Sequence, residues 1–138
     1  MATLPDDVRE LLEGPNFVHV ASTLPGGAPH VVAIWAGLEH GPDGDRIVFF
    51  TSPTSRKARN LDRDGRVAVS VVDHADPYRT AWVRGRVVEK RIDDLATMDH
   101  LSQVYTGQPF PSRTNVVYVV EPERWKYLHL PFSHEPGA

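Results

Sequence analysis

A chain of 138 residues has room for one hydrophobic core, and 41% hydrophobic with 24% charged residues is ordinary globular usage rather than that of a disordered segment. The formal charge of −3 gives no global attraction to nucleic acid or to an anionic membrane, and the lack of cysteine excludes disulfides, thiolate metal sites and a cysteine nucleophile. No apolar run approaches the roughly 18 residues that cross a bilayer, and the acidic start is unlike a signal peptide, so one soluble, cytoplasmic domain over 1–138 is expected.

Leu4, Val8, Leu11 and Leu12 fall at helical spacing, with Pro5, Asp6 and Asp7 at one end and Gly14 at the other. A short N-terminal helix follows from that. "NFVHVAST" (16–23) is rich in β-formers and alternates as a strand does. The turn "LPGGAP" returns the chain as a long strand, "HVVAIWAGLEH" (30–40), and "GPDGD" leads to "RIVFFTS" (46–52). A short helix over about 54–61 is closed by "DRDG", and strands 66–74 and 80–90 come next. Asp93 or Asp94 opens the clearest helix, with Leu95, Met98, Leu101, Val104 and Tyr105 on one face and Gly107 as its stop.

Two further strands, "NVVYVVEP" and "RWKYLHL", bring the count to seven, and "PFSHEPGA" (131–138) reads as a mobile tail in which Phe132 can pack. Three unevenly placed helices are too few for repeated βαβ units. The expectation is a mainly β fold, an antiparallel six- to seven-stranded barrel with a few short peripheral helices, in which Gly37 and Gly85 permit bends.

Several chemistries find no support. The seven histidines are scattered without metal-ligand spacing, so no metal site is expected. There is no G-x-S-x-G elbow and no phosphate loop after "PGG". "VRGRVVEKR" (83–91) gives a strand with a basic face but lacks the interleaved aromatics that stack bases, so neither nucleic acid nor a membrane is expected as partner.

One stretch stands out, "FFTSPTSRKARNL" (49–61). Thr51, Thr54 and Ser55 sit at a strand-to-helix junction, where hydroxyls cap the first free N–H groups of a helix. Arg56 and Lys57 crowd the same end, where cations oppose the helix macrodipole. A bound anion would reverse that penalty by accepting N–H, hydroxyl and charge-assisted bonds. Physical chemistry alone leaves a plain capped helix and an anion site equally open.

"FFTSPTSRKARNLDRDGRVAVSVVD" followed by "WVRGRVVE" resembles the flavin-binding segment of the pyridoxamine-phosphate oxidase-like split β-barrel family. Phe50, Thr51, Ser55, Arg56, Lys57, Leu61, Gly85 and Glu89 match its pattern, and the likeness covers roughly residues 7–125. The resemblance implies a homodimer with FMN, or the deazaflavin coenzyme F-420, held between subunits. It makes Arg56 and Lys57 the phosphate contacts and Thr51 and Ser55 hydrogen-bond donors beside Phe50. It lays the flavin ring along the main chain of His30, Val31 and Val32, and makes Thr80 the polar contact that each subunit contributes to its partner's cofactor. Trp35, Trp82, Trp125 and Phe132 suit either the subunit interface or the barrel's own packing.

No nucleophile or general base is implied. His30 and Tyr78 are candidates to donate a proton to a reduced substrate, but an ordinary surface position explains each better. The chain ends "PERWKYLHLPFSHEPGA", without the Arg-x-His that grips the vitamin oxidase's substrate. It looks more like the deazaflavin-dependent branch, which implies hydride transfer from reduced coenzyme F-420 to an unsaturated small molecule. An FMN-dependent oxidase or reductase, or a non-enzymatic flavin- or haem-binding protein, is the alternative.

Overall fold

The computed structural model describes residues 3–132 and 134. In chain order its elements are α1 (Asp6–Glu13), β1 (Val18–Thr23), β2 (Pro29–Ile34), β3 (Ala36–Gly41), β4 (Gly44–Thr51), α2 (Arg56–Arg63), β5 (Arg66–Val72), β6 (Arg79–Arg91), α3 (Leu95–Thr106) and β7 (Val116–His129). The strands form one antiparallel sheet in the order β2-β1-β5-β6-β7-β4-β3. β2 and β3 are its two edges, yet only Trp35 separates them in the chain. The sheet therefore has to curl until its edges meet at Trp35, and the result is a split β-barrel.

Two differences from the sequence reading bear on the strand count, and they cancel. The expected strand 30–40 is broken at Trp35, because its halves pair with different neighbours, β2 with β1 and β3 with β4. The two expected final strands are one continuous strand, β7, of 14 residues. Its pairing with β6 shifts register between Arg84 and Gly85, so Glu123 is an extra residue and the bend is absorbed as a bulge. Gly85 marks that place for a steric reason: a Cβ there would lie 2.1 Å from the Glu121 carbonyl oxygen. Gly37 is likewise a close approach, since its Cβ would meet Leu101 Cδ2 at 2.5 Å. The helix expected over 54–61 begins two residues later and runs to Arg63.

The barrel interior is filled by alternate residues of the strands, among them Val18, Val20, Ile47, Phe49, Val69, Val71, Val83 and Tyr118. α1 has Asp6 and Asp7 at its positive end and buries Val8, Leu11 and Leu12 against this core. α3 covers a second cluster through Met98 and Leu101, which meet Val48, Val117 and Val119 with Phe50 at the margin. Asp94 caps α3 by accepting from Thr97 N–H at 3.0 Å, and Gly107 ends it with a φ of 77°.

The segment expected to be a mobile tail falls partly outside the described residues, at 133 and 135–138. Of the rest, Phe132 packs edge-on against Tyr78 at 5.4 Å, and His134 stacks on the same ring with its Nε2 bonded to the Tyr78 hydroxyl.

Candidate cofactor-binding site

β4 ends at the buried Thr51, and the chain turns through Ser52, Pro53 and Thr54 into α2. Ser55 is the N-cap, with extended backbone (φ −67°, ψ 157°), and its Oγ accepts from Ala58 N–H at 3.2 Å. The same oxygen lies 3.1 Å from Thr51 Oγ1, while Ser52 Oγ and Thr54 Oγ1 are 3.2 Å apart. The hydroxyls thus form two short pairs at the mouth of the helix. Capping accounts for Ser55; the remaining hydroxyls exceed what a cap needs.

The first turn of α2 holds no acid. Arg56 folds back along the helix, its Nε donating to Asn60 Oδ1 at 3.0 Å. Asn60 is fully buried and its amide donates to Ser22 Oγ at 3.1 Å, so a chain of bonds from β1 holds the guanidinium by one edge. The other guanidinium nitrogens carry no ion-pair partner among the described residues.

Lys57 is half-buried and likewise has no carboxylate partner among the described residues. Burial pushes its ammonium pKa down. An uncompensated cation in partly desolvated surroundings is unfavourable unless an anion joins it.

Lys57 lines a cavity of about 220 Å³ with Ala33, Ile34, Trp35, Phe50 and Phe110. Its aromatic wall is tightly built. Phe50 and Phe110 meet edge-to-face at 4.8 Å, and Trp35 contacts Phe110 at 5.9 Å and Phe50 at 6.2 Å, both near-perpendicular. One cavity therefore combines an unpaired ammonium, the N-terminus of a helix and flat apolar rings.

Of the residues picked from the sequence, Phe50, Thr51, Ser55, Arg56 and Lys57 are gathered at this junction. β2 passes beside it, with Ala33 and Ile34 in the cavity wall. His30 and Val32 turn their side chains inward, and Val31 points out and is 61% exposed. His30 pairs in register with Ser22, the residue Asn60 reaches, and its Nδ1 is buried without a hydrogen-bond partner. Thr80 lies at the start of β6, two strands beyond β1, and shares no cavity with Lys57 within one chain. Trp35 and Phe110 were not read as site residues; a tryptophan in a strand and a phenylalanine in "QPFPSRT" carry no local signal of convergence. Among the described residues no group of three or more His, Asp or Glu is placed to hold a metal ion. No described helix is long and apolar enough to cross a membrane.

The sequence model of the pyridoxamine 5'-phosphate oxidase family matches residues 4–129. The chain belongs to that family. The structure of an F-420 reductase is similar to this family member at 30% identity, covering 89% of this chain and 98% of that one, with a TM-score of 0.78. Two more distant neighbours share the oxidase-family fold. One is a conserved hypothetical protein of Mycobacterium tuberculosis, at 20% identity over 100% of this chain and 95% of that one, with a TM-score of 0.76. The other is General Stress Protein 26 of Bacillus anthracis, at 13% identity over 89% and 92%, with a TM-score of 0.67. No curated protein matches the chain. Membership in this flavin-type oxidoreductase family supplies a cofactor class against which the cavity can be tested. The unpaired Lys57 ammonium and the aromatic wall fit a flat cofactor that carries a phosphate.

Proposed function

We propose that this protein is a flavin-type oxidoreductase that takes hydride from reduced coenzyme F-420 and delivers it to an unsaturated small molecule. The observation that carries the proposal is the joining, in one cavity, of the uncompensated Lys57 at the head of α2 with the Trp35, Phe50 and Phe110 rings. An amphipathic ligand with an anionic end and a flat conjugated ring answers both halves at once. Arg56 and Lys57 hold the phosphate by charge-assisted bonds, and Thr51 and Ser55 add their hydroxyls. The main chain of His30, Val31 and Val32 runs beneath the ring, and Phe50 and its neighbours exclude water from one side of it. The bound coenzyme supplies the hydride chemistry, and the protein supplies anchoring, orientation and a dry wall.

The 30% identity to an F-420 reductase favours the deazaflavin. FMN is the second reading, favoured by the match to the family model itself. The two are separated by titrating purified protein with each cofactor and following fluorescence. Tighter binding of coenzyme F-420 than of FMN supports the first, and binding of neither overturns both.

The working unit in this proposal is a homodimer. Val31, Val72 and Trp82 are 61%, 39% and 38% exposed on the outward side of β2, β5 and β6, and Val31 and Trp82 line a concavity with His19, Ala21 and Ser70. Apolar surface of this kind suits a second copy of the chain. Thr80, on the neighbouring part of β6, would then face the partner's cofactor. Light scattering during size-exclusion chromatography tests this: twice the mass of 15.4 kDa is expected, and a monomer at micromolar concentration would contradict it.

A further inference from the structure

The break between β2 and β3 is held by a side chain from elsewhere in the fold. Tyr105, near the C-terminal end of α3, sends its hydroxyl to the strand break. The oxygen accepts from Ala36 N–H at 3.2 Å, and its proton points between the Asn16 carbonyl at 2.8 Å and the Ala36 carbonyl at 3.1 Å. Asn16 is fixed in turn, its amide donating to Leu11 O at 3.0 Å and its Oδ1 accepting from His74 N–H at 2.8 Å. One hydroxyl thereby ties α3, the approach to β1 and the crossover between the sheet's two edges. Burial holds the Tyr105 pKa above its ordinary value, so the hydroxyl keeps its proton at neutral pH.

The residue just before Ala36 is Trp35, and its indole lies flat on the Tyr105 ring, at 5.3 Å between centroids and 11° between planes. Tyr105 thus fixes both the backbone that carries Trp35 and one face of the indole. The indole's remaining neighbours, Phe50 and Phe110, close the aromatic wall of the cavity.

We propose that Trp35 is the side chain that receives a flat conjugated ring in this cavity, and that Tyr105 is the residue that positions it. The inference rests on the cofactor reading for the ring's identity but not for its place. The wall offers no carboxylate and, apart from Lys57, no charged group, so the ring it selects is planar and uncharged on the side facing Trp35. That ring belongs either to the coenzyme or to the substrate lying on it, and the two sources give different results in one experiment.

Riboflavin and the phosphate-free 8-hydroxy-5-deazaflavin chromophore probe the ring alone; FMN and coenzyme F-420 add the phosphate. The proteins are wild type, Trp35→Leu, Trp35→Phe and Tyr105→Phe, each confirmed folded by circular dichroism. If the wall holds the coenzyme's ring, Trp35→Leu weakens the phosphate-free and phosphate-bearing forms alike, by about three- to tenfold, as the loss of an aromatic stack does. Tyr105→Phe keeps the stacking ring but removes the hydroxyl bonds. It should weaken both forms about two- to fivefold and alter the near-ultraviolet dichroism of the indole. Trp35→Phe restores most of the binding. If the wall holds the substrate's ring, these constants stay put. With reduced coenzyme F-420 supplying the hydride and solvent the proton, KM for menadione, reduced to its hydroquinone, then rises by the same factors, with kcat unchanged. Unchanged constants in both arms, including the case of no turnover to measure, overturn the proposal. A loss in Trp35→Leu with none in Tyr105→Phe overturns the role given to Tyr105. The phosphate reading is judged separately, by the ratio of FMN to riboflavin affinity, which these variants leave alone and Lys57→Met abolishes.

Discussion

Replacing Lys57 by methionine should raise stability and lower cofactor affinity in the same protein. Methionine keeps an unbranched apolar stem against Phe50 and Phe110 and removes a charge that, in the free protein, is half-buried with no carboxylate to meet it. The sign of the pH effect follows from burial. It lowers the native-state pKa of Lys57 below the ordinary value of 10.5, so the ammonium destabilises the native state below that lowered value. Stability then rises with pH as the native state gives up its proton before the unfolded chain does, up to about the ordinary value. That rise should be present in the wild type and missing in Lys57→Met. The binding effect has the opposite sign, because the ammonium is then paired with phosphate. Loss of one charge-assisted bond costs about 1.5–3 kcal/mol, or roughly ten- to a hundredfold in Kd. Urea unfolding at several pH values gives the first quantity, and fluorescence titration with FMN and riboflavin gives the second. The expected pattern is a higher midpoint, weaker FMN and unchanged riboflavin. A destabilised variant that binds FMN as the wild type does would refute the reasoning, since Lys57 would then be a packing residue.

Three other outcomes follow from geometry elsewhere in the fold. Gly85→Ala puts a Cβ 2.1 Å from the Glu121 carbonyl oxygen, and should cost about 1–3 kcal/mol in urea unfolding; an unchanged midpoint would mean that the bulge relaxes freely. Asn60→Ala leaves Ser22 Oγ and Arg56 Nε without their buried partner and should cost about 1–3 kcal/mol, with FMN affinity falling and riboflavin affinity holding. Parallel loss of both ligands would remove Arg56 from the phosphate site. His40 sits 2.7 Å from Asp45 and 2.8 Å from Glu13, and the Asp45 hydrogen bond first, with that from Glu13, raises its pKa above 6.5 against the effect of burial. Its stabilising contribution is complete below 6.5 and is lost as pH climbs through the raised value, so the Tm gap between wild type and His40→Ala should be wider at about pH 5.5 than at about 8.5. A gap that does not change with pH would contradict this.

How much of this was readable from the chain depended on whether the signal was local. α1 carries its acidic first turn, periodicity and terminator within a dozen residues, α3 its cap, periodicity and terminator, and both were legible. Ser55, Arg56 and Lys57 were legible because a helix N-terminus is itself a local object. The Trp35 break was not, since "HVVAIWAGLEH" is a continuous β-former; what divides it is pairing with β1 on one side and β4 on the other. The fusion of the last two strands was hidden by Pro122, which reads as a stop but sits beside a bulge opposite Gly85. Phe110 joins the cavity from a loop more than 50 residues beyond Lys57, a convergence with no trace in spacing. Tyr105 was recognised as one residue of a helical stripe, and its hydroxyl chemistry depends on backbone 69 and 89 residues away.

The most direct test of the central claim is a crystal structure of the protein grown with coenzyme F-420 and, separately, with FMN. Phosphate oxygens within about 3 Å of Ser55 Oγ, Lys57 Nζ and the Arg56 guanidinium, with the ring along β2, are the predicted result. A ligand bound elsewhere, with the head of α2 carrying only water, would contradict it.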